Sequence, residues 1–458
     1  MSLAATPARR AAFEVLRRVF EHDAWADRAF PAAAERHSLE GRERAQAQSL
    51  AFGAVKRRGT SDHVAADLAG RAIDGLDAPV VAALRLGLFE LLFSEGADHA
   101  AVDGAVELAK GGMKRGGPRR AAGAGGLVNA VLRRAARERD AVLASLTDET
   151  AADAAIAHSV PEWLAEMWWA ELGPEDTRSL LRALNDPPET AMRVNTLKAD
   201  PADLRAELEA AGEPLAVPGT TLGARHDAQC QAPGTVPGTG LVWDGPLGEA
   251  ALQALADGRM FAQSRGAQAV VEVLAPETGE RVLDLCAGPG VKTVAVAARV
   301  GSEGEVVAVE KDPGRARQVE DLCARAGAVN VNVLCADAED GAVCGQGYDR
   351  VLVDPPCSDL GTLASRPDAR WRKDPETIDR LAGVQARILA TGSEALRPGG
   401  ILVYSTCTIS ARENEAVAEA AIVGNPALAE VRRVLTRPDR DRTDGFFIAK
   451  LQKAEARG

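Results

Sequence analysis

Along the first third of the chain, apolar residues recur every three or four positions. The pattern is clear in Ala11-Ala12-Phe13-Glu14-Val15-Leu16-Arg17-Arg18-Val19-Phe20, over 80–92, and in Leu127-Val128-Asn129-Ala130-Val131-Leu132-Arg133-Arg134. This spacing gives each helix one apolar stripe, and nothing in the region alternates as a strand does. Residues 1–140 therefore read as an all-α helical bundle. Residues 141–255 change character. A helical stretch surrounds Trp163, Trp168 and Trp169, which read as packing anchors. Then come a strand-like run over 191–196, a helix over 201–211 and a Gly/Pro-rich passage over 212–240. This mixture predicts a small α/β connecting region. From 256 to 458, strands at 281–286, 305–310, 329–335, 350–354 and 401–405 alternate with helices, notably over 313–326 and 375–396. That alternation predicts a parallel α/β sheet, with 446–451 as a closing edge strand.

Composition narrows the picture. With 458 residues, 46% hydrophobic and 26% charged, the chain can fill several cores. A net charge of −12 means that any nucleic-acid site must be a local basic patch. One such patch is visible. Lys110, Lys114, Arg115, Arg119, Arg120, Arg133, Arg134, Arg137 and Arg139 fall between 110 and 139, opposed there only by Glu138, and 111–126 reads as a flexible loop. Phosphate contact is the functional reading, and a solvated linker with a helix end is the plain one. The seven cysteines show no paired spacing. This argues against a disulfide framework or a metal site and for reduced thiols in the cytoplasm. The start of the chain leads into an amphipathic helix rather than a signal peptide, and no apolar run approaches the ~18 residues of a membrane span.

Ligands of parallel α/β sheets sit beyond the carboxyl ends of the strands. Asp284, Cys286, Glu310, Asp337, Asp354, Cys357 and Cys407 all map near that edge. In Asp284-Leu285-Cys286-Ala287-Gly288-Pro289-Gly290-Val291-Lys292-Thr293 a strand runs into a glycine-bearing loop, where the backbone can approach a ligand. Glu310, about 20 residues on, ends the next strand where an acid binds ribose hydroxyls. The loop lacks G-x-G-x-x-G, which favours S-adenosylmethionine over a dinucleotide. Asp337 is placed to receive an adenine amine or to cap a helix. Asp354-Pro355-Pro356-Cys357-Ser358 sets an acid and a thiol on a turn stiffened by two prolines. Ser405-Thr406-Cys407 sets a second thiol after another strand. Cys323, Cys335 and Cys344 read as inert small hydrophobes.

Together these runs resemble the RNA 5-methylcytosine methyltransferase family, whose shape is a D-x-C-A-x-P-G-x-K-T loop, a D-x-P-C-S turn and an S-T-C turn. Arg412-Glu413-Asn414-Glu415 and Gly445-Phe446-Phe447-Ile448-Ala449 also look like that family. The helical half is similar to the NusB family over 84–93, 101–110 and 126–134. The resemblance covers nearly the whole chain and is weakest over 212–255. It implies a NusB-like bundle ahead of a Rossmann-like methyltransferase domain that acts on small-subunit ribosomal RNA; the oligomeric state stays open, with a monomer the expectation. It implies that Cys407 adds to cytosine C6, that Cys357 helps the product leave and that Asp354 holds the cytosine edge. Residues Cys286, Ala287, Gly288, Pro289, Gly290, Val291 and Lys292, with Glu310, Asp337 and Asp354, would then bind S-adenosylmethionine. Two positions depart from the family. Val291 stands where a second glycine is usual, and Asp359 replaces a small residue after the P-C-S turn, adding negative charge near an RNA substrate. An exocyclic-amine methyltransferase and a non-catalytic RNA-binding protein are the rival readings. The first expects an aromatic residue in place of Cys357, and the second has no use for both thiols.

Overall fold

Thr6 opens the first helix, Pro7–Glu21, by accepting a hydrogen bond from the Arg9 amide at 3.3 Å. This start belongs to a computed structural model that describes residues 5–113, 117–216 and 239–455. The chain divides into two units, one of Met1–Asp186 with Arg366–Arg372, the other of Pro187–Ser365 with Lys373–Gly458. The region expected as a single connector over 141–255 is thus shared between them. Contacts rather than sequence order draw the boundary.

The first unit is helical among its described residues. Helices Pro7–Glu21, Gly41–Lys56, Ala78–Phe93, Asp98–Gly112 and Pro118–Arg137 turn their apolar stripes onto one core that includes Val15, Leu16, Leu84, Leu88, Val128 and Leu132. The loop expected over 111–126 is mostly helix, because Pro118 occupies the first turn, where its missing N–H is harmless. Glycine inside a helix costs roughly 1 kcal/mol relative to alanine. Burial of Ala124, Gly125, Val128 and Leu132 on the same face offsets that cost. Lys114 and Arg115 lie outside the described residues.

The Arg366–Arg372 segment is also part of this unit. Arg370 is fully buried and donates to the carbonyls of Ser159 and Leu184, each at 3.1 Å, and Trp371 Nε1 donates to the Val55 carbonyl at 3.0 Å.

The second unit contains both sheets. A small antiparallel sheet pairs β1 (Thr190–Val194) with β2 (Gly240–Trp243) on one side and β3 (Met260–Ala262) on the other. The large sheet contains β4 (Arg281–Leu285), β5 (Glu305–Glu310), β6 (Val331–Cys335), β7 (Tyr348–Val353), β8 (Leu396–Thr406), β9 (Leu428–Thr436) and β10 (Phe446–Lys453), in the order β6-β5-β4-β7-β8-β10-β9. The pairs from β6 to β8 are parallel and those made by β10 are antiparallel. Alternate residues serve opposite faces. Val282, Val306, Leu352 and Val403 pack with helices Arg265–Leu274 and Val291–Val300, while Leu283, Val307, Val351 and Leu402 face Pro375–Ala395.

Two expectations are corrected here. β10 is interior rather than an edge, because β9 pairs along its outer side. β9 escapes a sequence reading because Glu430, Arg432 and Arg433 break its apolar alternation, as suits an exposed edge. Cys335, expected in the core, is exposed because β6 forms the other edge.

Lys56 offers a test of how tightly the first unit is packed. It is 8% exposed, and its ammonium donates to the Asp186 carbonyl at 3.0 Å. Burial, then the charge of Arg370, pushes Lys56 down to about 7. Its folded pKa lies below that of an exposed lysine, so the unfolded chain binds the extra proton between about pH 7 and about 10. Stability should therefore rise with pH across that window. Lys56→Met should flatten the rise and raise the melting temperature near pH 7, as read by thermal unfolding of the full chain from pH 7 to 9.5.

Candidate active site

The strand order reverses between the parallel neighbours β4 and β7, and the crevice of such a sheet opens at their carboxyl ends. Past β4, the amides of Cys286 and Ala287 both donate to the Val309 carbonyl, at 3.0 and 2.9 Å, which pins the loop to the end of β5. Gly290 caps helix Val291–Val300 at φ +103°, a conformation that favours glycine. Glu310 is buried at the end of β5, accepting from the Gly288 amide at 3.1 Å and the Asp312 amide at 3.0 Å. A side chain at position 288 would place Cβ 2.4 Å from Glu310 Oε2, so glycine is required for this approach. Asp284 is fully buried under the loop, and its carboxylate accepts from Thr293 Oγ1 at 2.7 Å. Burial raises Asp284 to about 7. Val291 packs its side chain against the core, while its carbonyl accepts from Arg193 at 2.9 Å. The close backbone approach falls to Gly288 instead.

The other side of the crevice carries the thiols. Cys357 Sγ lies 3.2 Å from Cys407 Sγ, although 50 residues separate them in sequence. Cys407 Sγ also donates to Asp359 Oδ1 at 3.2 Å. The contact with Cys357 comes first, then burial and the nearby charges of Cys357, Asp359 and Asp354; together they hold the Cys407 thiol well above its ordinary range. Asp354 accepts from Ser405 Oγ at 2.8 Å and pairs with the Lys292 ammonium at 2.7 Å. Burial works against the Lys292 charge, but Asp354 outweighs it and holds the ammonium above its usual value. Lys292 and Asp354, both expected at the cofactor, are thus an ion pair.

Both thiol turns hang from one carboxylate that the motif reading left without a role. Glu413 is fully buried. It accepts from the Ser358 amide and from Gln385 Nε2, both at 2.9 Å, and binds the Ser358 hydroxyl. That hydroxyl meets Thr408 Oγ1 at 2.6 Å, and Gln385 also donates to the Pro356 carbonyl at 3.0 Å. Burial raises Glu413 above the usual carboxylate range, opposed by these bonds. Gly361 closes the arrangement. Its amide donates to the Cys407 carbonyl at 2.9 Å, and a Cβ there would fall 2.0 Å from the Gly445 carbonyl oxygen. Glu413 stands in Arg412-Glu413-Asn414-Glu415, six residues past Cys407, the one sequence signal that pointed to it.

Other expected residues lie further out. Asp337 is half-exposed and pairs with Lys311 at 2.6 Å, and its other oxygen accepts from the Glu339 amide. The basic residues of the first unit mostly have acidic or polar neighbours. Lys110 pairs with Glu107 at 2.9 Å, Arg120 with Asp77, Arg134 with Glu138 at 3.0 Å, and Arg133 donates to Asn129 at 2.8 Å. Arg119 is exposed.

A glycine loop after the first parallel strand, an acid ending the second and reactive groups past the fourth and fifth define a Rossmann-fold methyltransferase. Comparison with known proteins gives the family. Residues 271–452 match the 16S rRNA methyltransferase RsmB/F family, 6–137 the NusB family, and 160–218 the ferredoxin-like domain of RsmF/B-like methyltransferases. The ribosomal RNA small subunit methyltransferase B of Vibrio cholerae is 31% identical over 93% of this chain and 92% of its own. A putative methyltransferase of Mycobacterium tuberculosis, MT1451, is 33% identical over 98% of this chain and 96% of its own. The solved structure of PH0851 covers 98% of this chain and 100% of that one, with 25% identity and a TM-score of 0.79. The chain therefore belongs to the RsmB/F family of 16S rRNA methyltransferases. No helix among the described residues is long and apolar enough to cross a membrane.

Proposed function

We propose that this protein transfers a methyl group from S-adenosylmethionine to C5 of a cytosine in small-subunit ribosomal RNA, in the cytoplasm, through a covalent bond between Cys407 Sγ and cytosine C6. The observation that carries this reading is the 3.2 Å contact of Cys357 and Cys407 beside the Asp354–Lys292 pair, at the switch point of the sheet. Cytosine C5 is a poor nucleophile until a thiolate adds at C6, and a covalent step of this kind splits one hard reaction into two easier ones. The target base must be unpaired or flipped out to reach these residues.

The loop and acid fit a nucleoside-type methyl donor, since Gly288 opens the backbone and Glu310 stands beside it in the position of a ribose ligand. S-adenosylmethionine bound there supplies an electrophilic methyl group. Asp354, oriented by Ser405 and charge-balanced by Lys292, holds the amino edge of the cytosine. After methyl transfer the C5 proton is lost as the C6–S bond breaks, and Cys357, in contact with Cys407 Sγ, assists that elimination. Cations of the first unit, Arg119 and Arg120 with Lys114 and Arg115, contact RNA phosphates.

Glu310→Ala should weaken S-adenosylmethionine binding by about 1.5–3 kcal/mol, the worth of hydrogen bonds to a charged group. Calorimetry reads this directly, and unchanged affinity rejects the ribose role. Replacing Lys114, Arg115, Arg119 and Arg120 by Ala should weaken RNA binding and flatten its dependence on salt, leaving cofactor affinity alone. An unaltered salt slope would make this a solvated surface.

The two thiols should behave oppositely. Cys407→Ala should abolish methyl transfer and form no adduct. Cys357→Ala should still add and methylate, then stall with RNA attached through Cys407, seen as a band that survives a denaturing gel. An adduct in Cys407→Ala instead would reverse the roles. Activity in both variants without any adduct, and without tritium release from 5-tritiated cytosine, would favour transfer to an exocyclic amine.

A further inference from the structure

Cys407 must give up its proton as it adds to the base, yet its surroundings hold that proton in place. Cys357 could take it only if it were already a thiolate, itself a competing nucleophile. Asp354 is the nearest family acid, but its two oxygens are occupied by Ser405 and Lys292. One carboxylate oxygen faces the Cys407 thiol directly, and it belongs to Asp359, at 3.2 Å.

The turn is built to present this oxygen. Ser358, the preceding residue, is gripped at amide and hydroxyl by Glu413. Asp359 itself adopts φ +60°, a conformation that Asp and Asn tolerate better than most side chains. Its carbonyl accepts from the Thr362 amide at 3.0 Å, and the Gly361 amide ties the same loop to the Cys407 carbonyl. The second carboxylate oxygen is held by the Lys373 ammonium at 3.4 Å. Oδ1 accepts from the Cys407 thiol. The residue is the one that stands in place of the family's small side chain after the P-C-S turn, and its carboxylate meets Cys407 and Lys373.

We propose that Asp359 is a further catalytic residue of this protein, beside Cys407, Cys357 and Asp354: the base that receives the Cys407 proton as Sγ bonds to C6. This rests on the covalent cytosine reading given above. In the addition, the S–H bond breaks, its proton moves to Asp359 Oδ1, and the sulfur electron pair forms the S–C6 bond. The C5–C6 π pair is released toward C5, which then takes the methyl group. In the elimination, the C5 proton passes to water with Cys357 assisting, its bonding pair forms the C5–C6 double bond, the C6–S bond breaks with its pair leaving on sulfur, and Asp359 returns its own proton to that sulfur. The carboxylate, the thiol and the charge on Lys373 end as they began.

The groups facing Cys407 are Cys357, Asp359, Asp354 and Lys292. Removing the Asp359 charge therefore has two opposed consequences, which separates a base from a bystander. Asp359→Asn keeps size and backbone preference but cannot take a proton. Asp359→Ala removes the group. Both are made in the Cys357→Ala background, where the adduct accumulates. The first readout needs no RNA and also reports a folded site. It is the rate at which iodoacetamide labels Cys407, followed by peptide mass spectrometry against pH. Without the neighbouring negative charge the thiol ionises more readily, and labelling at pH 7.5 should rise. The second readout is the rate of adduct formation with a 16S rRNA transcript at saturating S-adenosylmethionine. Loss of a general base should slow it by roughly 100-fold or more, in both variants, against the trend in labelling. Adduct formation at or above the parent rate in either variant overturns the role of Asp359. A Cys357→Ala parent that forms no adduct overturns the covalent reading, and the base with it.

Discussion

A single buried carboxylate sets the geometry on which the rest of the site depends. Glu413 joins two turns that the sequence places 50 residues apart, taking hydrogen bonds from Ser358 on one and reaching Thr408 on the other through the Ser358 hydroxyl. Burying such a group is costly unless every lone pair finds a donor. Ser358, Gln385 and their neighbours meet that demand, and the arrangement is stiff as a result. It works together with the Gly361 amide on the Cys407 carbonyl and the Ser405 hydroxyl on Asp354 to hold the two thiols in contact.

The sheet supplies the second constraint. Because β4 and β7 are neighbours while β5 and β6 lie beyond β4, the glycine loop and the P-P-C turn emerge side by side from one edge. β8 adds the second thiol from the next position. The adjacent antiparallel strand β10 brings Gly445 against Gly361, fixing the loop from the far side. Lys292 then spans from the helix after the glycine loop to Asp354. The glycine loop and the thiol turns are thus joined through one ion pair.

Much of this was legible in the chain. Short apolar runs alternating with helical stretches located β4, β5, β7 and β8, and the strand-end positions of Glu310, Asp354, Cys357 and Cys407 followed from them. The helices expected over 313–326 and 375–396 are present, each capped by an acid, Asp312 and Asp374. What escaped were features with no local signature. β9 carries too many charges to read as a strand. Pro118–Arg137 holds too many glycines to read as a helix at its start. Glu413, Gln385 and Lys373 look like surface residues in sequence, since their burial or partners come from segments far away in the chain.

The sequence by itself determined the fold classes, the positions of the reactive thiols and the loop that suits a nucleoside, because hydrophobic period and turn chemistry are local properties. Tertiary structure alone decided partnership. It set Lys292 on Asp354 rather than in an open loop, turned Val291 into the core, and made Asp359, by its sequence only an added charge near RNA, the acceptor for Cys407. The reason is physical. A hydrogen bond of about 3 Å has a narrow range of distance and angle, and which groups meet within it depends on how the sheet orders its strands.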